Sequence, residues 1–229
     1  MYTLHIANKN YSSWSLRSWV LMKTLRIEFE ERVHRFPEDG PSYMEFRDFS
    51  PSGLVPVLED GSWVAWDSLG ITEYLAERHH GVWRGQRHAR DWSKSAVSEM
   101  HGGFTTLRGT CGMNVGIRAR LREISPLLQR DLDRLDELWN DGLLRFGGPF
   151  LAGEEFTAVD AFYCPVAFRI QTYGLELSGN AMAYAQRLLA LPAMKDWYAA
   201  GIAETWREPI HEAETAGAHE LTADYRAKA

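Results

Sequence analysis

The sequence predicts two units of different class, a mixed α/β unit in residues 1–80 and an all-helical unit in residues 92–210. The first unit combines short strand-like alternation with helical spacing of apolar residues, whereas the second shows helical spacing alone. Residues 81–91 are polar and contain glycine, which is typical of a linker. Residues 211–229 are polar and alanine-rich, which predicts a frayed or disordered tail.

The elements of the first unit are predicted in the order strand, helix, strand, loop, strand, strand, helix. The two adjacent strands form a hairpin, because the dipeptide Asp60-Gly61 between them supplies the positive-φ positions of a tight turn. The approximate ranges of the seven elements are 2–6, 16–25, 29–33, 37–41, 54–58, 63–66 and 69–79.

Two helix-start signals support the helical second unit. Ser125 and Pro126 fit the cap and first turn of one helix. Thr157 and Asp160 have the spacing of a capping box, and we interpret them as a structural cap on a buried helix.

Composition excludes several functional classes. Hydrophobic residues make up 45% of the chain and charged residues 24%, which argues against disorder. The net charge of −6 argues against a nucleic-acid partner. No apolar stretch is long enough to predict a membrane span, and no signal peptide is visible. The two cysteines, Cys111 and Cys164, cannot form a disulfide framework, so we expect a cytoplasmic location.

A serine-rich segment lies between the first strand and the first helix. Ser12, Ser13 and Ser15 are suited to capping that helix, which is a common structural role. The alternative is a hydroxyl at a helix N-terminus that binds an anion, since the free N–H groups and the helix dipole favour negative charge there.

Pro56 lies inside the apolar run that forms the third strand. Proline cannot donate to a strand ladder, so either this is an edge strand or the Val55–Pro56 bond is cis. A cis bond is predicted to turn the backbone N–H and C=O of Val55 toward an extended peptide ligand.

Asp67 and Ser68 lie where the hairpin leads into the next helix. They are suited to capping that helix. Alternatively, Ser68 and the first N–H groups bind a carboxylate, and Asp67 binds an ammonium group.

Four segments in this order resemble the glutathione transferase superfamily over roughly residues 3–210. They are Ser12 to Arg17, Gly53 to Leu58, Asp67 to Leu75, and Phe150 to Asp160. The serine segment is similar to the zeta class, which includes maleylacetoacetate isomerases. Trp14 stands where that class has cysteine and Glu30 where it has lysine, so we describe the chain as zeta-like.

The resemblance implies a thioredoxin-like N-terminal domain, a helical C-terminal domain and a homodimer. It implies a glutathione transferase that conjugates the glutathione thiolate to small, mostly apolar electrophiles, with glutathione as co-substrate and no metal. Ser12 is then the residue that assists the thiol. The implied glutathione-binding residues are Ser13, Val55, Pro56, Asp67 and Ser68. The implied electrophile pocket contains Trp14, Arg108, Met113 and Arg118.

Other functions remain open at this point. One is glutathione-dependent cis-trans isomerisation of the maleylacetoacetate type, and another is non-catalytic glutathione binding on the same fold. A thiol-disulfide reductase is disfavoured, because Trp14 occupies the position where a cysteine is needed. A metal site built on His79, His80 and His88 is disfavoured as well, since nothing completes a ligand set.

Overall fold

The computed structural model describes residues 1–37 and 42–227. Its strands are β1 Tyr2–Ala7, β2 Phe29–His34, β3 Val57–Asp60, β4 Trp63–Trp66, β5 Ile117–Leu121 and β6 His219–Asp224. Its helices are α1 Ser13–Thr24, α2 Ser42–Glu45, α3 Ser68–Ala76, α4 Arg87–Gly102, α5 Thr105–Thr110, α6 Pro126–Phe146, α7 Ala158–Tyr173, α8 Gly179–Ala190, α9 Pro192–Ala203 and α10 Pro209–Ala218. Most of the loop predicted at 37–41 lies outside the described residues.

The first four strands form one mixed sheet in the order β2-β1-β3-β4. β1 and β2 pair in parallel, and the other two pairs are antiparallel. Leu4 and Ile6 of β1 and Leu16 and Val20 of α1 are fully buried in a common core. This confirms the predicted thioredoxin-like domain, in which α1 and α3 start at one end of the sheet.

The Val55–Pro56 peptide bond is cis, as predicted. The edge-strand alternative is wrong, because β3 lies between β1 and β4 in the sheet. The ladder between β1 and β3 begins at Val57, so Val55 lies outside it.

The second unit is built around α7, in which nearly every side chain is buried. This helix packs on α1, α4 and α8, and so connects the two units through one core. Its predicted capping box is confirmed: Thr157 and Asp160 bind each other reciprocally. Burial raises the pKa of Asp160 to about 6.

The structure corrects three sequence predictions. The linker predicted at 81–91 runs into a helix, because α4 already begins at Arg87. The second unit is not all helical, since β5 pairs with β6 in a two-stranded antiparallel sheet. Residues 211–227 of the predicted tail form α10, β6 and a short end segment. Pairing with β5 provides the backbone partners that the tail sequence alone does not reveal. Within the described residues, no helix is both long and apolar enough to span a membrane.

Candidate active site

A cavity of about 760 Å³ lies between the two units. The starts of α1 and α3 and the segment before β3 form one side of it, and α5, α7 and α10 form the other. The predicted site residues on its wall are Ser12, Ser13, Trp14, Val55, Pro56, Asp67, Ser68, Arg108 and Met113. The fold thus gathers nearly all of them at one place, and their roles stay predictions.

The serines at the start of α1 have different surroundings. Ser15 is fully buried, and its Oγ accepts from the backbone N of Ala7 at 3.2 Å. The Oγ of Ser12 donates to that of Ser15 at 2.7 Å. Ser12 makes no side-chain cap bond to α1, so its hydroxyl is held at the cavity wall by Ser15 rather than by the helix backbone.

The second unit fixes the loop that leads into these serines. The Glu204 carboxylate accepts from the backbone N of Lys9 at 2.7 Å and of Asn10 at 3.2 Å. The Trp197 indole donates to the backbone O of Lys9 at 2.8 Å, and Val115 N donates to the backbone O of Asn10 at 3.1 Å. Because these contacts come from distant parts of the chain, the position of Ser12 depends on both units.

The start of α3 presents one capped and one unpaired side chain. Asp67 has φ of 66°, and its Oδ1 accepts from Leu69 N at 2.7 Å. Ser68 is fully buried, and its Oγ has no hydrogen-bond partner among the described residues. A buried hydroxyl without a partner costs free energy, and here it lies on the wall of a cavity. The hydroxyl is therefore suited to a polar ligand group.

His101 of α4 reaches the same corner and was missed by the sequence reasoning. Its Nε2 lies 3.5 Å from Oδ2 of Asp67, and its ring meets the edge of Trp14 at 5.1 Å between centroids. Burial lowers the pKa of His101, and nearby Arg17 and Arg108 lower it further, against the opposing effect of Asp67. His101 thus connects the second unit to the Asp67 carboxylate. No motif marks it in the sequence.

Trp14 lies between two guanidinium groups. The Arg17 guanidinium is 4.1 Å from its ring centroid and that of Arg108 is 4.8 Å away. Arg17 is 2% exposed, and burial lowers its pKa to about 9, with Arg108 contributing in the same direction. Arg108 donates to the backbone O of His101 at 3.0 Å and of Gly103 at 3.2 Å. This wall is therefore both aromatic and positively charged.

Arg169 of α7 lines the cavity and was also missed. Its Nε donates to the backbone O of Cys111 at 2.8 Å, and burial lowers its pKa to about 10. Arg118, by contrast, was wrongly expected at the pocket. Its Nη1 donates to the backbone O of Ile117 at 2.6 Å, its guanidinium lies over Tyr198 and Tyr225, and it is not part of the cavity wall. The alternation of β5 explains this, because Ile117 and Ala119 are buried while Arg118 lies on the other face.

A thioredoxin-like unit and a helical unit enclose a cavity that is lined in part by serine and arginine side chains. Residues 11–78 match the family described as "Glutathione S-transferase, N-terminal domain", and residues 118–200 match "Glutathione S-transferase, C-terminal domain". The chain belongs to the glutathione S-transferase family.

Three curated relatives show the range of similarity. A dichloromethane dehalogenase of Methylorubrum extorquens is 37% identical over 27% of this chain and 22% of its own length. Glutathione S-transferase DHAR2 of Arabidopsis thaliana is 33% identical over 58% of this chain and 55% of its own length. The matched region thus spans about a fifth of the dehalogenase and about half of DHAR2. A probable maleylacetoacetate isomerase of Vibrio cholerae is 25% identical over 80% of this chain and 89% of its own length.

The fold has a clear counterpart among solved structures. A glutathione transferase homolog from Burkholderia with bound glutathione superposes with a TM-score of 0.64 at 17% identity. The match covers 86% of this chain and 95% of that protein.

Proposed function

We propose that this protein is a glutathione transferase that conjugates the glutathione thiolate to small, mostly apolar electrophiles. The observation that carries the proposal is the pair of helix starts on one cavity wall, where Ser12 and the unpaired Ser68 lie. The dihalomethane in the name of the Methylorubrum relative is an electrophile of the class meant here.

The start of α3 is proposed to bind the γ-glutamyl end of glutathione. The Ser68 Oγ has no internal partner, so it is available to donate to the carboxylate together with the N–H groups of the first turn. The second carboxylate oxygen of Asp67 lies 3.5 Å from His101 Nε2, and the Asp67 side chain is 46% exposed. That oxygen is suited to the ammonium group.

The segment before β3 is proposed to bind the cysteinyl part of glutathione. Val55 and Pro56 line the cavity and lie outside the β1–β3 ladder. The backbone of Val55 is thus proposed to pair with the peptide in antiparallel fashion, which fixes the sulfur over the start of α1.

Ser12 is proposed to stabilise the thiolate. Free thiols have a pKa of about 8.5, so few are ionised at neutral pH. A hydrogen bond to a charged group contributes about 1.5–3 kcal/mol, which corresponds to one or two units of thiol pKa. Ser15 supports this role, because its own proton can turn toward Ser12 and so replace the bond that Ser12 donates to Ser15 without bound glutathione. Ser12 then donates to the sulfur.

The electrophile is proposed to bind against Trp14 at the start of α1 and against Arg108 and Met113 on the opposite side of the cavity. Arg169 on the same wall favours a second candidate, glutathione-dependent isomerisation of the maleylacetoacetate type, because a substrate with carboxylates is attracted there. The Vibrio relative carries that activity in its name. Non-catalytic glutathione binding is the remaining alternative.

We also propose a cytoplasmic homodimer that acts in detoxification. The low cysteine count supports the compartment. Trp63 on edge strand β4 is 61% exposed, which supports a surface that a second copy covers. Sedimentation of the purified protein tests the dimer.

Calorimetric titration with glutathione, followed by turnover of a generic aryl halide, tests the proposed function. We expect both saturable binding and glutathione-dependent product formation. Binding without turnover of the aryl halide or of a cis-dicarboxylate substrate identifies a binding protein. Absence of binding overturns the proposal altogether.

A further inference from the structure

His211, on the first turn of α10, is a cavity residue that the proposed function does not use. Its ring is stacked between two aromatic side chains, with centroid distances of 5.3 Å to Tyr11 and 5.4 Å to Phe36. Tyr11 immediately precedes Ser12, so the His211 ring lies beside the segment proposed to receive the sulfur.

A buried carboxylate holds one nitrogen of this ring. Glu208 is 2% exposed, and its Oε2 accepts from the backbone N of His211 at 2.7 Å and lies 2.5 Å from His211 Nδ1. A carboxylate only accepts hydrogen bonds, so Nδ1 carries the proton. The neutral ring then has its lone pair on Nε2, and the residue lies on the cavity wall.

The contact between Glu208 and the ring exceeds what a helix cap requires. Glu208 caps α10 through the backbone N of His211 alone. The second contact, to the imidazole, fixes the tautomer and the orientation of the ring. A histidine oriented by a carboxylate is the usual arrangement of a general base.

We propose that His211 is the proton acceptor for the thiol of bound glutathione, with Glu208 as its positioning residue. This inference rests on the proposed function. The S–H bond breaks and its proton moves to Nε2, while the sulfur keeps the electron pair. That pair forms the bond to the electrophilic carbon, and the leaving group departs with the electrons of the bond that breaks. The proton then passes from His211 to solvent.

The charges around His211 come from several elements. Glu208 at the start of α10 contacts the ring, and Glu214 of the same helix lines the cavity. Arg108 of α5 and Arg169 of α7 line the same side of the cavity and carry the opposite charge.

Two further charged side chains, Glu212 and Arg35, have partners of their own. Glu212 accepts from Tyr11 Oη at 2.7 Å and from Arg226 Nη1 at 2.5 Å. The Arg35 guanidinium lies over Trp206 at 5.2 Å.

Two conservative variants test whether His211 acts as a base or is only part of the cap of α10. His211→Asn keeps a donor near the position of Nδ1 and removes Nε2. Glu208→Gln keeps an oxygen for the cap and removes the charge. His79→Asn is the matched control, because His79 is half-buried, bonded to Tyr2 Oη at 3.0 Å and remote from the cavity wall.

The experiment is a pH profile of kcat/KM with an aryl halide, accompanied by calorimetric Kd values for glutathione. For His211→Asn we expect kcat/KM to fall by about tenfold to a hundredfold at a pH about two units below the pKa of the bound thiol. Above the apparent pKa of the bound thiol, the loss of kcat/KM shrinks because the thiol ionises unaided. Glu208→Gln should show the same pH profile with a smaller loss of kcat/KM. The glutathione Kd of both variants should stay within about twofold of the wild-type value. The control His79→Asn should match the wild type in both measurements.

Unchanged kcat/KM at all pH values in His211→Asn overturns the inference and makes His211 a cap residue. A pH-independent loss with a raised glutathione Kd also overturns it and makes the ring a binding group. Both results leave the proposed function intact if the wild type binds and turns over glutathione. Failure of the wild type to bind glutathione overturns both.

Discussion

Helices α7 and α3 both start with a polar cap, but their starts use these side chains differently. At α7, Asp160 is fully buried and accepts from Leu151 N at 3.0 Å, Thr157 N at 2.9 Å and Tyr184 Oη at 2.8 Å. At α3, Asp67 caps one N–H group, and the buried Ser68 Oγ has no partner among the described residues. The α7 start is thus satisfied within the fold, whereas the α3 start lies on the cavity wall and leaves the Ser68 hydroxyl unpaired among the described residues.

Asp160→Ala is expected to have the largest effect, and on stability alone. The three donors named above and Thr157 Oγ1, 3.4 Å away, lose their acceptor, so the free energy of unfolding should fall by about 3 kcal/mol or more. Urea denaturation measures this, and glutathione Kd of the folded protein should stay unchanged. A decrease in the free energy of unfolding of less than about 1 kcal/mol would show that the hydrogen bonds to Asp160 do not stabilise the fold as described.

Ser12→Ala is expected to lower glutathione-dependent turnover by roughly tenfold to a thousandfold, because one donor to the thiolate is lost. Its stability should change little, since Ser12 makes no side-chain cap bond. Steady-state kinetics with saturating glutathione measures the effect. Ser13→Ala is the control and should lose less; equal turnover in the wild type and both variants contradicts the assigned role.

Ser68→Ala is expected to raise the glutathione dissociation constant about tenfold, or about 1.4 kcal/mol. Turnover at saturation should stay nearly unchanged, because the contact is the same in ground and transition states. Without glutathione the variant should be as stable as the wild type or slightly more so, since a buried unpaired hydroxyl is removed. Calorimetry and denaturation in parallel test the two statements. Unchanged glutathione affinity with reduced stability would mean that Ser68 only stabilises the fold, as the cap of α7 does.

Asp67→Asn is expected to have the smallest effect. Asparagine keeps an oxygen for Leu69 N, so stability should change by less than about 0.5 kcal/mol. The lost charge should weaken glutathione binding about threefold to fivefold, as for a partly exposed ion pair. Asp67→Ala is the contrasting variant, because it also removes the cap, which costs about 1 kcal/mol. If the two variants lose equal stability, the cap bond contributes nothing.

Local signals in the sequence predicted the first unit well. Hydrophobic periodicity and the Asp-Gly turn located its strands, and Pro56 in an apolar run together with the family resemblance predicted the cis bond. Ser12, Asp67 and Ser68 were found because cap chemistry and ligand chemistry both place polar residues at helix starts. The sequence could not separate helix capping from ligand binding at these residues. The distinction depends on which buried hydroxyl groups find hydrogen-bond partners in the folded chain.

The remaining site residues come from distant segments without local signals. Arg169 and His211 lie on two different helices that line the cavity, and His101 lies on a third helix and contacts Asp67 of the cavity wall. The end of the chain was predicted wrongly for the same reason, since β6 is stabilised by pairing with β5 about a hundred residues earlier. Arg118 was wrongly predicted to line the pocket, because the direction of its side chain from β5 depends on the pairing of β5 with β6.

The central claim is that the cavity ionises glutathione at Ser12, and the ultraviolet absorbance of the thiolate measures this directly. A pH titration of glutathione bound to the wild type should give an apparent thiol pKa one or two units below the free value of about 8.5. In Ser12→Ala the apparent pKa should return most of the way to the free value. A wild-type complex that titrates like free glutathione would contradict the account.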